Sequence, residues 1–273
     1  MKFFRKNPEW LFFLALGFLI ISWAMIYLID VINLFGIRDR FYTPETGAFF
    51  FRHWFVTPVE VPVQWLFLFG AMYVFFLNAG RTAGDKNQRP FKFWRLMGLG
   101  SIFMVMEDVY NIRHQLRGYI GRWAGDGAYG YLATFFELGY FAAIGTVLIY
   151  AFFRYRRVFW NRPKTRRYLI SGYGFYGTAV CASWLGTAFH DHLEENLYTG
   201  AGRVFTNILF GSHPEASELY SRANEHLAGT GTELLEYWFM DSVVEESIEL
   251  LGAAALLVAG LAFYRSYDAE KGG

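Results

Sequence analysis

Residues 96–114 have the sequence LMGLGSIFMVMEDVYNIRH, in which an apolar run passes directly into ionisable side chains. The run Leu96–Met106 is typical of a helix that crosses a membrane. Two carboxylates, an amide, an arginine and a histidine then follow, where lipid-embedded chains normally avoid such residues. An ionisable group in a bilayer costs about 3 kcal/mol on insertion scales, so such groups usually face a bundle interior and have a function.

The composition indicates a polytopic membrane protein. Of the 273 residues, 54% are hydrophobic and 21% are aromatic, which is rare for a soluble domain of this size. The single cysteine, Cys181, lies in an apolar segment, so the chain has no disulfide framework. Basic patches with interleaved aromatic residues are absent outside the membrane-flanking loops, and we do not expect nucleic acid as a partner.

The apolar runs predict an all-α bundle that forms a single transmembrane domain over residues 1–273. Three basic residues precede the first run, which we interpret as a signal anchor. We expect residues 30–62 to form a loop in the membrane interface. The predicted bundle has about six crossings, which are residues 10–29, 63–78, 96–118, 131–153, 168–189 and 238–264.

Two local patterns add detail to this bundle. Gly172, Gly174 and Gly177 on the fifth crossing favour close contact between helices. The acidic loop before the last crossing contains a helix start at Pro214 and a stop at Gly229. We therefore expect residues 190–231 to form an extracytoplasmic cap with a short amphipathic helix.

The distribution of basic residues predicts the orientation. The N-terminus, residues 81–95, residues 154–167 and the tail together hold 17 of the 25 Lys and Arg residues. If these four segments are cytoplasmic, six crossings satisfy every loop and both termini are cytoplasmic. We expect the protein in a bacterial inner membrane with this topology.

The buried polar groups are predicted to share one level in the bundle. At ~1.5 Å per residue, Glu107 lies ~18 Å from the cytoplasmic boundary at Arg95, and Glu249 lies ~24 Å from that at Arg265. By the same measure Glu137 lies roughly 10 Å below the outer surface. The residues predicted at or near that surface are His114, His190, Asp241 and Glu245.

Helical spacing adds that these groups lie on two stripes. Glu107, Asn111 and His114 form a stripe on the third crossing, and Asp241, Glu245 and Glu249 form one on the sixth. Carboxylates that lie close together in a low dielectric cannot all be ionised without compensation. The compensation can be a bound cation, pairing of Arg113 with Glu245 or Glu246, or protonation. The plainer alternatives are structural hydrogen bonding, a helix cap at His114 and a solvated loop at His190.

Two segments resemble an uncharacterised family of bacterial multi-pass membrane proteins. In that family one transmembrane helix carries an Asp-Glu pair and, several residues later, Ile-His-Glu, and a late helix carries Glu-Glu-x-x-Glu-x-x-Gly. Here Glu107-Asp108 stands at the acidic pair, and residues 245–252, EESIELLG, fit the second pattern without gaps. Arg113 stands where the family has its histidine, and the imidazole moves to His114. The resemblance covers roughly 25 residues and implies about six helices with buried carboxylates.

The chain is also loosely similar to intramembrane zinc hydrolases of the alkaline-ceramidase and adiponectin-receptor kind. The similarity is confined to the pattern Asp108-x-x-Asn111-x-x-His114. The closing His-x-x-x-His of those enzymes is absent from the last crossing, which carries carboxylates alone. The similarity implies a reaction class and nothing more specific.

These patterns support three hypotheses of function. In the first, the centre binds a divalent metal ion or another cation through Glu107, His114, Glu245, Glu249 and His190. If the protein is an enzyme, it is then a metal-dependent hydrolase or oxidase of a lipid-like substrate, with Glu137 or Asp108 as general base.

The second hypothesis is a non-catalytic accessory subunit that binds partner helices, lipids or pigments. The third is a proton or ion relay, which the absence of an inverted repeat disfavours. The expected partners are membrane lipids, with other membrane proteins or further copies of the chain as additional candidates.

Overall fold

A computed structural model describes residues 7–42, 50–124, 130–188, 197–211, 213–229 and 234–271. Helices account for 91% of them, and this part of the chain contains no strand, so the all-α prediction is confirmed there. The helices are α1 Glu9–Ile26, α2 Ile37–Phe41, α3 Thr57–Thr82, α4 Arg89–Tyr110, α5 Ile112–Ala124, α6 Gly130–Arg154, α7 Arg157–Trp160, α8 Pro163–Ala188, α9 Leu197–Phe210, α10 Pro214–Gly229, α11 Leu235–Phe239 and α12 Glu246–Lys271.

Three π-helical turns and one 3-10 turn join or extend these helices. The π turns are Tyr27–Val31 after α1, Arg52–Val56 before α3 and Met240–Glu245 between α11 and α12. The 3-10 turn is Leu34–Gly36, before α2. A π turn holds one more residue than an α-helical turn and is often found at functional sites.

Four helical segments are long and apolar enough to cross a membrane, which supports a multi-pass membrane protein. They are Glu9–Val31, Arg52–Thr82, Phe135–Arg154 and Leu235–Lys271. They coincide with the predicted first, second, fourth and sixth crossings. The long helices α4 and α8 occupy the positions of the predicted third and fifth crossings.

The expectation of an interfacial loop over residues 30–62 was wrong for most of that segment. The helix that was predicted to begin at Val63 is continuous from Arg52, and it includes Pro58 and Pro62. The two prolines therefore lie within the helix and do not mark its start.

The chain divides into two compact units. The first consists of Met1–Ala15, Val63–Val180 and Glu249–Gly273, and the second of Leu16–Pro62 and Cys181–Ile248. The predicted single transmembrane domain over residues 1–273 stays a prediction.

The core of the first unit surrounds α12. Ala253, Ala255 and Ala259 are fully buried, and their small side chains allow neighbouring helices to approach closely. Asn78 Nδ2 of α3 donates a hydrogen bond to the carbonyl oxygen of Gly260, at 2.9 Å. Aromatic rings fill the adjacent space around Trp94, whose ring centroid lies 4.7 Å from that of Phe263.

Ion pairs at one end of the first unit join all four basic segments. Lys271 Nζ donates to Asp85 Oδ1 at 2.7 Å, and Arg162 Nη2 donates to Glu270 Oε2 at 2.6 Å. Arg81 pairs with Asp268, and Lys164 pairs with Glu9. Hydrogen bonds from Lys271 and Tyr267 hold the pKa of Asp85 below its usual range. The four segments that were predicted to lie on one side of the membrane therefore meet.

The second unit packs the end of α1, α2, the start of α3 and the helices from α9 to α11. Its core contains Ile26, Val31, Phe210, Phe239 and Val243. Helix α10 spans Pro214–Gly229, which confirms the predicted helix start and stop in the long loop. Helix α9 was not predicted, and it packs against α11 and the π turn Met240–Glu245.

Only one of the three predicted contact glycines in α8 is in a close approach. A Cβ atom built on Gly172 would lie 2.7 Å from Leu256 Cγ and 3.1 Å from its backbone nitrogen. Built on Gly174 or Gly177, it would meet no other described atom within 4 Å. The expectation for Gly174 and Gly177 was therefore wrong, because those positions face away from α12.

We predict that Gly172→Val lowers the free energy of unfolding by about 1–3 kcal/mol, because the added atoms overlap α12. Gly174→Val is the matched control, since it makes the same change in the same helix without a neighbour. Thermal unfolding in detergent, followed by tryptophan fluorescence, measures both. An equal loss for the two variants would contradict the packing described here.

Candidate cation site

Gln64 joins two carboxyl groups from different helices of the first unit. Its side chain is fully buried in α3. The amide nitrogen Nε2 lies 3.0 Å from both Asp108 Oδ1 and Asp108 Oδ2 on α4. The same nitrogen donates to Glu249 Oε2 on α12, at 2.9 Å. One amide therefore holds two carboxyl groups from distant parts of the chain.

The packing of α3 explains why Gln64 is buried. Gln64, Leu68, Ala71 and Phe75 are all fully buried, and their spacing places them on one face of α3. Between Gln64 and Phe75 that face is apolar except at Gln64 itself, which lies beside the end of α4 and the start of α12. The amide therefore meets carboxyl groups where the rest of the face meets the hydrophobic core.

The surroundings of Asp108 make the site unusual. Its carboxyl group contacts the Gln64 amide nitrogen, which also donates to Glu249, and Glu107 is the preceding residue. Two carboxyl groups that share one neutral donor in a low dielectric cannot both be ionised without compensation. The neutral amide donates hydrogen bonds but cannot neutralise charge, so full ionisation of the pair requires a cation.

The acceptor end of the Gln64 amide also belongs to this site. Its oxygen, Oε1, is buried, and among the described residues no donor reaches it. A buried carbonyl oxygen without a donor costs about 1–3 kcal/mol. An amide oxygen next to carboxylate oxygens is the kind of ligand set that hard cations such as Ca²⁺ and Mn²⁺ prefer.

The structure brings together two of the residues singled out from the sequence, Asp108 and Glu249. Glu107 adjoins them and is half-buried, and Glu137 is buried on α6. Glu245 belongs to the second unit, where it accepts a hydrogen bond from Tyr198 Oη at 2.8 Å. The side chain of His114 and the whole of His190 lie outside the described residues.

The predicted stripe of Glu107, Asn111 and His114 on one helix was wrong. Asn111 has a left-handed backbone with φ of 48°, and it separates α4 from α5. Its N–H donates to the carbonyl oxygen of Glu107 at 2.7 Å and closes the last turn of α4. Asparagine tolerates this conformation better than most residues. Glu107 and His114 therefore lie on different helices.

The buried carboxyl groups of the second unit have donors of their own. Asp30 Oδ1 accepts from the N–H of Phe51 at 2.7 Å. Glu236 accepts from Tyr220, and Glu245 accepts from Tyr198. Burial, together with these carboxylates, raises the pKa of both tyrosines, so each hydroxyl keeps the proton that it donates. These acids have local, structural explanations.

Arg52 and Glu60 form the most deeply buried ion pair in the described part of the chain. Their side chains are 1% and 0% exposed, and Arg52 Nη1 lies 2.5 Å from Glu60 Oε2. Arg52 Nε also donates to the carbonyl oxygen of Ser242 in the third π turn, at 2.9 Å. The guanidinium group therefore neutralises Glu60 and ties the start of α3 to the segment before α12.

The sequence analysis overlooked Gln64 and the Arg52–Glu60 pair. Gln64 carried a signal, because it is an amide at the start of an otherwise apolar run from Val63. The sequence signal for Arg52 and Glu60 was weaker. Their spacing of eight places them near one helical face, but the prolines between them suggested a loop.

The described residues do not contain a complete metal site of the usual kind. Within that part of the chain, no three His, Cys, Asp or Glu side chains form a group that could hold a metal ion. The predicted ligand set therefore stays a prediction. What the geometry provides is the smaller set of Asp108, Glu249 and the Gln64 amide.

Comparison of the chain with models of protein families, with curated proteins and with solved structures found no match.

We predict that Arg52→Met lowers the free energy of unfolding by about 3–5 kcal/mol, because it leaves Glu60 charged and buried. The double variant Arg52→Met with Glu60→Leu removes both charges and should recover most of that loss. Thermal unfolding in detergent measures the two variants. A double variant as unstable as the single one would show that the pair has no coupled role.

Proposed function

We propose that this protein is a polytopic integral membrane protein that binds a cation between Gln64, Asp108 and Glu249. The contact of Gln64 Nε2 with both carboxyl groups carries the proposal. It gathers two acids from separate helices around one neutral group, unlike the buried acids of the second unit, which have separate donors. If these three residues contributed only to stability, apolar side chains of similar size would stabilise the bundle equally well.

The first candidate for the bound species is a divalent metal ion. Two carboxylates supply the charge, and the Gln64 carbonyl oxygen is a further ligand of the same hard type. Glu107 and the predicted ligand His114 are the residues that could complete the coordination. The bound metal would supply an activated water, and with Glu137 as the predicted base the centre would act as a metal-dependent hydrolase on a lipid-like substrate.

The second candidate is a proton, and one specific contact favours it. Both carboxyl groups contact the same Gln64 nitrogen, so the pair of Asp108 and Glu249 would take up and release a single proton. A metal ion would displace this proton, so metal binding should release protons to the solvent. Both candidates use the same residues, and the experiment below separates them.

We predict that the protein in lipid nanodiscs binds Ca²⁺ or Mn²⁺, and that Asp108→Asn or Glu249→Gln weakens binding at least about 10-fold, because each removes a charged ligand. Isothermal titration calorimetry measures the affinity, and repeating it in buffers of different ionisation enthalpy counts the released protons. Glu236→Gln is the matched control, since it alters a buried acid with its own tyrosine donor.

The proton candidate predicts a different result. No metal would bind, but infrared difference spectra would show a carboxyl band that titrates with pH and is lost in both site variants. If the wild-type protein shows neither metal binding nor such a band, cation binding is wrong. If the site variants lose only stability, the contacts serve only to hold the helices together, as the accessory-subunit hypothesis expects.

The same proposal includes six crossings with both termini in the cytoplasm of a bacterium. Beyond the four apolar segments, α4 and α8 would be the third and fifth crossings. The ion pairs that join the four basic segments support placing those segments on one side. The basic-residue bias then makes that side cytoplasmic.

We predict that single cysteines at Gly84 and Asn161 in a Cys181→Ser background react with a membrane-impermeant maleimide only after the cells are opened. A cysteine at Ser221 on α10 should react in intact spheroplasts. An odd number of predicted crossings separates Ser221 from each cytoplasmic terminus, which places it on the outer side. Mass-tag labelling measures all three. Labelling of Gly84→Cys in intact spheroplasts would reverse the orientation.

A further inference from the structure

Helix α9 has an apolar outward face. Its exposed hydrophobic residues include Leu197, Val204 and Ile208, with exposures of 76%, 58% and 69%. Their spacing of seven and four residues places them on one side of the helix, and Phe205 widens that side. Among the described residues of the second unit, no neighbour covers this face.

The inward face of α9 is partly polar. Its buried residues are Tyr198, Thr199, Gly202, Thr206 and Phe210. The hydroxyl of Tyr198 donates to Glu245, and Gly202 packs against the backbone carbonyl of Glu236. A helix that lies in water has the opposite arrangement, with its apolar side against the protein.

The charge and the length of α9 restrict where it can lie. Arg203 is the only charged residue among its 14, and its Nε lies 3.8 Å from Glu236 Oε1. A helix of this length measures ~21 Å. It is therefore too short to cross a hydrocarbon core of about 30 Å. These properties suit a helix that lies along the membrane surface.

Helix α10, which follows directly, provides an internal comparison. Its exposed residues include Ser217, Glu218, Ser221, Arg222 and Glu225, and it buries Ala216, Leu219 and Ala223. This is the pattern of a helix in contact with water. Two adjacent helices of one unit thus present opposite surfaces, one suited to lipid and the other to water.

The position of α9 indicates lipid as the occupant of its outward face. It packs against α11 and the π turn Met240–Glu245, which form the beginning of the apolar segment Leu235–Lys271. A helix held against the start of a membrane span lies at the level where that span meets the bilayer. The apolar face of α9 therefore lies at the level where lipid begins.

We propose that α9 is an interfacial membrane helix whose face of Leu197, Val204, Phe205 and Ile208 lies among the lipid acyl chains. The loop between the last two predicted crossings then has two layers, with α9 in the bilayer surface and α10 in water. This inference does not depend on cation binding.

Site-directed spin labelling in lipid nanodiscs tests the proposal. In a Cys181→Ser background, labels are placed at Val204→Cys and Ile208→Cys on α9, and at the matched positions Ser217→Cys and Ser221→Cys on α10. Power saturation compares collisions with oxygen, which concentrates in lipid, and with a water-soluble nickel chelate. We expect oxygen to dominate at 204 and 208, and the nickel chelate to dominate at 217 and 221.

Two results would overturn the proposal. Dominant collisions with the nickel chelate at 204 and 208 would place the face in water. Protection of both positions from both reagents would mean that a protein surface covers it. Since all four positions are exposed, the labels should leave the fold intact, and thermal unfolding of each labelled variant checks this.

Discussion

A carboxyl group inside a helix bundle requires a hydrogen-bond donor. The two units of this protein supply such donors in different ways. In the second unit an arginine, a backbone N–H and two tyrosines each serve one acid. In the first unit one glutamine serves two acids. The two acids that share one neutral donor are the pair for which a bound cation is proposed.

Local signals in the sequence predicted what depends on local structure. Runs of apolar residues located the four candidate spans of the described residues, and Pro214 and Gly229 gave the ends of α10, because helix boundaries depend on nearby residues. The prolines at 58 and 62 led to a wrong helix start, because a proline is common at the start of a helix but also occurs inside one. The sequence does not show which of the two applies.

The contacts of the site depend on how distant helices pack, and this limited the prediction. Asp108 and Glu249 were both recognised as buried acids, but nothing in their own segments specified Gln64 as the shared donor. The left-handed Asn111 separated Glu107 from His114, although the periodicity placed them on one stripe. Spacing predicts faces only while the helix continues. Resolving these points requires coordinates for all three helices.

The burial of α12 has a consequence for how the protein is made. Its alanine face forms the middle of the first unit, yet it is the most C-terminal of the helices that surround this core. Synthesis proceeds from the N-terminus, so α3, α4 and α8 are made before the helix that they enclose. Until then, their inner surfaces, including the Gln64 amide, must contact something other than α12. The core of the first unit is therefore completed only after α12 has been synthesised.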